Sequence, residues 1–180
     1  DEQKQFSSFV TCREFEAITE ITILAPDHPR LLSLITQGCA AAGSNIVDAK
    51  VYTTRDGRAL NSIFLSREFP DNDSEMRRAS RIAKLIEEAL GGERALPEMI
   101  AKRGKQSKRS KAFALEPKVL VTNDLSDTFT VVEVEGLDRI GLLGELTTTL
   151  ADLNLNIASA RVSTFGEKVI DTFYVADLIG

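Results

Sequence analysis

Two short turns carry the residues of this 180-residue chain whose types and spacing could bind a small charged molecule. Residues 27–30 (DHPR) and 138–141 (DRIG) each lead into a helical pattern. Amides at the start of a helix lack partners and suit a carboxylate, because the helix dipole adds positive potential there. Asp27 and Asp138 could hold an ammonium group or, more simply, cap the helix that follows.

Other residues in and near these turns have a binding and a structural interpretation. Asn156 starts a strand beside the second turn, and its amide can donate and accept, although Asn156 and Asn45 could equally satisfy turn backbone. Gly141, with no Cβ, either admits a ligand close to the backbone or serves helix packing. Arg30 stands in the first turn at the position that matches Gly141. Its long side chain could fill the ligand pocket or reach across it to a carboxylate. His28 is most simply a turn residue, with pH sensing as the alternative.

An internal repeat relates the two turns. A shift of 111 positions aligns residues 25–53 with 136–164, and ten of these 29 positions are identical. A one-residue adjustment then aligns NSIF (61–64) with DTFY (171–174). The chain therefore contains two related units rather than a short-period array.

The hydrophobic pattern gives each unit the same elements. A strand (20–24; 129–135) is followed by the turn and a helix, with Gly43 or Asn154 at the left-handed C-cap position. A second strand (46–53; 157–164) and a third (59–67; 169–178) come next. The first unit adds a helix capped by Asp73 or Ser74, and strand 117–122 is expected to pair with 129–135.

This order predicts an α+β fold of tandem ferredoxin-like (βαββαβ) domains, with antiparallel sheets and helices on one face. The expected boundaries are an N-terminal extension that can form a strand (1–17), the first domain (18–101), a basic linker (102–116) and the second domain (117–180). The second domain is expected to be truncated, without its second helix and last strand. The outer strands 46–53 and 157–164 could pair, within or between chains, into one continuous sheet, with Lys50 and Arg161 facing outward.

Composition excludes several classes of function. The net charge is −5, and residues 102–111 hold six basic residues, so an acidic body with a short basic strap argues against nucleic-acid binding. No apolar run approaches the roughly 20 residues of a membrane span, and no secretory signal is visible, so a cytoplasmic location is expected. Two cysteines and one histidine provide neither a disulfide framework nor a multi-histidine metal site. Asp71-Asn72-Asp73 is interpreted as a capping loop, not a metal site.

The segment from residue 136 to 162, GLDRIGLLGELTTTLADLNLNIASARV, resembles the ACT domain, a ferredoxin-like module that binds amino acids. Together with APDHPRLLS, KAFALEPKVLVTNDLSD and NLNIASARVSTFGEKVIDTFYVADLIG, it is similar to the C-terminal tandem ACT region of bifunctional uridylyltransferase/uridylyl-removing enzymes. These enzymes modify the nitrogen-signalling protein PII. The resemblance covers about residues 18 to 180.

The resemblance implies a glutamine sensor that switches attached catalytic domains between uridylylation and deuridylylation of PII. It implies no catalytic residue and no cofactor or metal site in these residues, whereas the parent enzyme would use Mg²⁺. The partners are glutamine, the catalytic domains of the same chain, PII through the parent enzyme, and a second ACT domain. The expected ligand site lies between the second turn and a neighbouring ACT domain, at Asp138, Arg139, Ile140, Gly141, Leu142, Asn156 and Ile157. The second choice of ligand-binding residues is Asp27, His28, Arg30, Asn45 and Ile46. The alternative is a free-standing tandem ACT regulator that acts by protein contact, similar to the glycine-cleavage repressor.

Overall fold

The computed structural model describes residues 6–54, 56–92 and 116–177, which form eight strands and three helices. The first unit comprises β1 (Ser7–Arg13), β2 (Ile18–Pro26), α1 (Leu31–Ala41), β3 (Ile46–Thr53), β4 (Arg58–Ser66) and α2 (Asn72–Leu90). The second comprises β5 (Lys118–Thr122), β6 (Thr130–Leu137), α3 (Leu142–Asp152), β7 (Leu155–Phe165) and β8 (Lys168–Asp177). The basic segment 102–111 and residues 97–103, whose pattern predicts a short helix, lie outside the described residues.

Two four-stranded antiparallel sheets carry the fold, in the orders β1-β2-β4-β3 and β5-β6-β8-β7. The fold class predicted from the repeat is therefore confirmed. In each sheet one edge is formed by the strand that precedes the repeated unit: β1 pairs with β2, and β5 pairs with β6 as expected.

Each outer strand contains a β-bulge near its start. The register shifts between Ile46 and Asp48 in β3, and between Ile157 and Ser159 in β7. Strict alternation predicts that Val47 shares the buried face of Ala49, but the bulge places Ile46 there instead. Because bulges twist an edge away from further pairing, β3 and β7 contact each other yet remain the edges of two sheets. The expected continuous sheet is not formed among the described strands.

The two units pack through α1 and α3, which run antiparallel. Thr36 of α1 meets its own repeat counterpart, Thr147, with their hydroxyl oxygens 3.1 Å apart, so an approximate two-fold axis passes between them. Gln37 donates to the Thr148 hydroxyl at 2.9 Å. Apolar side chains of both units form one continuous core. This packing brings the turn at the start of each helix against the other unit.

Helix α2 packs beside α1 and covers the part of the first sheet at β1 and β2. Its cap is Asp71, which accepts from the Ser74 amide at 2.7 Å, rather than Asp73 or Ser74. Its buried Glu75 accepts from the Thr19 hydroxyl at 2.7 Å and from the amides of Glu68 and Phe69 at 3.2 and 3.1 Å. Arg78 pairs with Glu75 and donates to the Ser44 hydroxyl, which ties α2 to the end of α1.

Candidate functional site

The first turn is fixed by backbone hydrogen bonds at both ends. The Asp27 amide donates to the Gly57 carbonyl at 3.0 Å, and the Leu31 amide donates to the His28 carbonyl at 2.9 Å. Helix α1 therefore begins at Leu31, and its first amides have no acceptor within the helix. These amides could bind an anionic group.

The second turn is held in the same way but contains a left-handed residue. The Asp138 amide donates to the Glu167 carbonyl at 2.8 Å, and the Leu142 amide donates to the Arg139 carbonyl at 3.1 Å. Gly141 has a φ of +90°, which an L side chain rarely adopts. Arg30, its counterpart, has a φ of −97°. The glycine is thus required by the backbone of this turn.

The two aspartates are not helix caps, which corrects the simpler interpretation of their position. The residues before α1 and α3 are Arg30 and Gly141, and neither helix has a side-chain cap. Asp27 accepts instead from the Thr53 hydroxyl at 3.1 Å, and Asp138 accepts from the Asn45 amide at 3.2 Å. Both carboxylates are therefore directed toward the strands rather than along the helices.

Asn45 and Asn156 each lie at the turn of the other unit, which corrects the expectation that Asn156 lies beside the second turn. Asn45, from the first unit, bonds to Asp138 of the second. Asn156, from the second unit, lines a cavity with Asp27 and His28 of the first. We call the cavity at Asp27, His28, Asn61 and Asn156 cleft 1. The corresponding group in the other repeat is Asp138, which bonds to Asn45 and whose charge acts on Asp171, and we call the place of these three residues cleft 2. Each cleft is built from both units.

Each cleft contains a buried polar side chain that the sequence analysis did not select. Asn61 is fully buried, and neither its nitrogen nor its oxygen has a hydrogen-bond partner. Asp171 is 1% exposed, and its Oδ1 atom has no partner. The available signal was a polar residue in a buried position of the third strand in both repeats. Because buried polar groups are nearly always paired, these two mark places for a ligand or a water molecule.

The surroundings of the Asp171 carboxyl group shift its pKa to near neutral pH. Burial, with a smaller contribution from the charge of Asp138, raises the pKa of Asp171 to about 7. Cleft 2 therefore contains, beside Asp138, a carboxyl group that exchanges a proton near neutral pH.

The arginines of the two turns are engaged outside the clefts. Arg30 forms an ion pair with Asp152 of α3 at 2.6 Å, and both side chains are more than half exposed. Arg139 pairs with Glu145, and this hydrogen bond raises the pKa of Arg139 while it lowers that of Glu145. Arg30 therefore bridges the two units at the surface instead of filling a pocket.

The remaining expected site residues divide between core and surface. Ile157 lines cleft 1 and is buried, and its counterpart Ile46 is buried at the start of β3. Leu142 is half-buried in the first turn of α3, whereas Ile140 is 49% exposed. Ile140 is thus the apolar residue of this set that is open to solvent.

Cleft 1 is nearly closed in this structure. Its cavity measures about 10 Å³, which is room for roughly one water molecule. An amino acid is several times larger, so its entry requires the turn at Asp27 and His28 to move away from Asn156.

A larger cavity of about 470 Å³ lies on the second sheet, but its lining is almost entirely apolar. It corresponds to the face that α2 covers in the first unit. No group of His, Cys, Asp or Glu suited to hold a metal ion occurs in the described segments. Likewise, none of the three described helices is long and apolar enough to cross a membrane.

Comparison with known protein families now identifies part of the chain. The sequence model of the ACT domain matches residues 130–180. An ACT domain is found there. It contains β6, α3, β7 and β8, with the second turn and Asp171. The first unit repeats its order of strands and helix, and the two sheets are those of tandem ferredoxin-like ACT folds. The ACT domain indicates a regulatory role in which an amino acid binds.

Proposed function

We propose that this chain is an amino-acid-sensing regulatory region that binds glutamine in the two clefts between its units. The observation that carries the proposal is that each cleft combines a carboxylate, a helix start and an amide side chain drawn from two units. These are the groups that complement a free amino acid.

The ligand would use the three groups at once. Its ammonium group would face Asp27 or Asp138, and its carboxylate would accept from the unpaired amides at the start of α1 or α3. Asn156 in cleft 1, or Asn45 in cleft 2, would donate to and accept from the side-chain amide of glutamine. In cleft 2 the ligand would first displace the hydrogen bond between Asn45 and Asp138.

Binding in such a place changes the relation of the units. A ligand shifts an equilibrium only when it binds one arrangement better than another. Because cleft 1 is nearly closed and has walls from both units, a bound amino acid would favour an arrangement in which the turn and Asn156 are further apart. This rearrangement would be the signal passed to attached domains.

The sequence resemblance supports a specific setting for this signal. In the proposed setting the chain itself has no catalytic residue and no cofactor. It would regulate the catalytic domains of a [protein-PII] uridylyltransferase/uridylyl-removing enzyme that uses Mg²⁺. Glutamine would shift that enzyme from uridylylation of PII toward deuridylylation, in the control of nitrogen metabolism.

The test is a calorimetric titration of the folded chain with glutamine, glutamate, asparagine and glycine. We expect saturable binding that favours glutamine. Asp138→Ala and Asn156→Ala should each weaken binding at least tenfold at one cleft, whereas the exposed control Asp127→Ala should not. Absence of binding by every amino acid would overturn the proposal and favour a regulator that acts by protein contact.

A further inference from the structure

Asn61 and Asp171 occupy matching places in the two clefts but differ in charge. Asn61 pairs across the sheet with Val51 and Ile23, and Asp171 pairs with Val162 and Val134. Val51 and Val162 are repeat counterparts, and so are Ile23 and Val134. The two side chains therefore point from the same place in each sheet, and Asn61 lines cleft 1.

Cleft 2 thus presents two carboxyl groups, Asp138 and Asp171, where cleft 1 presents Asp27 and a neutral amide. The Oδ1 atom of Asp171 is buried and has no partner. The side chain that donates to Asp138 is the neutral amide of Asn45, which brings no positive charge. A buried carboxylate of this kind is stabilised most by a cation that enters the cleft.

The charged side chains of the surrounding elements do not supply that cation. Asp138 is the group whose charge acts on Asp171 among the described residues. Helix α1 contains no charged residue, and on β3 Asp48 alternates with the buried Ala49 and so faces away. Two further neighbours are paired, Glu135 with Lys168 and Arg139 with Glu145. Arg161 is exposed, and Glu133 lies on the face of β6 that points away from Asp171.

Without a cation in the cleft, the buried negative charge of Asp171 can be removed by protonation of its carboxyl group. Since the pKa of Asp171 is about 7, its carboxyl group is about half protonated at neutral pH when the cleft is empty. An ammonium group that lies between two carboxylates favours the ionised form of both. The O–H bond of Asp171 then breaks, and the proton passes to the buffer.

We propose that Asp138 and Asp171 together bind the ammonium group of the amino acid in cleft 2, and that this binding releases a proton, whereas binding in cleft 1 does not. The proposal rests on the amino-acid-sensing function above. It makes cleft 2 the site whose affinity depends on pH, with Asp171 as the residue that distinguishes it from cleft 1.

The experiment is calorimetry of the whole chain with glutamine at pH 5.5, 7 and 8, in pairs of buffers with different enthalpies of ionisation. The expected release from cleft 2 is about one proton at pH 5.5, about half at pH 7 and about a tenth at pH 8. The affinity of cleft 2 should rise at least threefold from pH 5.5 to pH 7.

Two variants that exchange the residues of the clefts complete the test. Asp171→Asn should abolish the release, and Asn61→Asp should add a second release from cleft 1. Each introduced residue is the one found at the matching place of the other repeat, and asparagine and aspartate have nearly the same size and shape. Glutamine binding without proton release at any pH would overturn this proposal and leave the sensing function intact. A release that persists in Asp171→Asn would also overturn it, and absence of all binding would overturn both proposals.

Discussion

At the scale of single residues, the fold opposes the ionisation of the Asp171 carboxyl group. Its pKa lies above its ordinary value because burial penalises the charged form, and Asp138 adds repulsion. The folded state therefore binds more protons than the unfolded state between about pH 4 and pH 7. Stability contributed by the protonated carboxyl group is present at low pH and is lost as pH rises toward 7.

Asp171→Asn removes this dependence and should raise the free energy of unfolding at pH 8. A pKa difference of about three units corresponds to at most about 4 kcal/mol. Urea unfolding at pH 4, 6 and 8 measures it, with the exposed Asp127→Asn as the control. If wild type and Asp171→Asn lose stability in parallel as pH rises, Asp171 is not the titrating group.

The pKa of Glu75 is shifted in the opposite direction to that of Asp171. Burial raises its pKa, but the hydrogen bonds from Thr19 and two backbone amides outweigh this and lower it overall. Stability from Glu75 is therefore present above its unfolded pKa and is lost as pH falls through the folded value. Glu75→Gln leaves Arg78 without its buried partner.

We expect Glu75→Gln to cost about 3 kcal/mol of unfolding free energy at pH 7. The exposed pair Arg13–Glu16 offers a control, since Glu16→Gln should cost less than about 0.5 kcal/mol. Equal, small effects of the two substitutions in denaturant unfolding would show that the Glu75 network contributes little.

At the scale of elements, the two helices of the repeat are covered differently. Helix α1 is buried on nearly all sides, because the first sheet, α2 and α3 all pack against it. A Cβ atom on Gly38 would lie 2.6 Å from a side-chain carbon of Ile86 in α2. The counterpart of Gly38 is Thr149, which lines the open cavity on the second sheet.

Gly38→Thr should therefore destabilise the chain by at least about 1–3 kcal/mol, through overpacking against Ile86. The matched exchange, Thr149→Gly, removes no such contact and should cost less than about 1 kcal/mol. Thermal and urea unfolding of both variants compare them. A Gly38→Thr variant as stable as Thr149→Gly would contradict the close packing of α1 on α2.

The elements themselves were largely predictable from sequence, because they depend on local pattern. The left-handed C-cap positions of Gly43 and Asn154 are confirmed, with φ of 76° and 60°. The bulges at the start of β3 and β7 were not predicted, since nothing local separates a bulge from continued alternation. The pairing of β5 with β6 was predicted correctly, whereas the pairing of β1 with β2 was not predicted.

The site was predictable only in part, because it is formed by contacts between the two units. The two turns and both asparagines were selected by spacing, but spacing within one repeat cannot show that Asn45 meets Asp138 of the other. Asn61 and Asp171 were missed because a polar residue in a strand is ordinarily solvent-facing. Their importance comes from burial, which the packing of the two units creates.

At the scale of the whole molecule, the two units share one core, and both clefts span their interface. Gly144 lies at the centre of this interface, where an added Cβ would be 3.4 Å from Cγ of Gln37. Gly144→Leu should wedge α3 away from α1 and weaken amino-acid binding at both clefts at least tenfold. Circular dichroism checks that the variant folds, and unchanged affinity at both clefts would contradict the shared interface.

The most direct test of the account is the number of glutamine molecules that the chain binds when Asn45 alone is changed. Asn45 belongs to the first unit, but its partner Asp138 belongs to the second turn. Calorimetric titration at pH 7 should show two sites in the wild type and, in Asn45→Ala, only the site at Asp27. Loss of the site at Asp27 instead, or two unaltered sites, would contradict clefts built from both units.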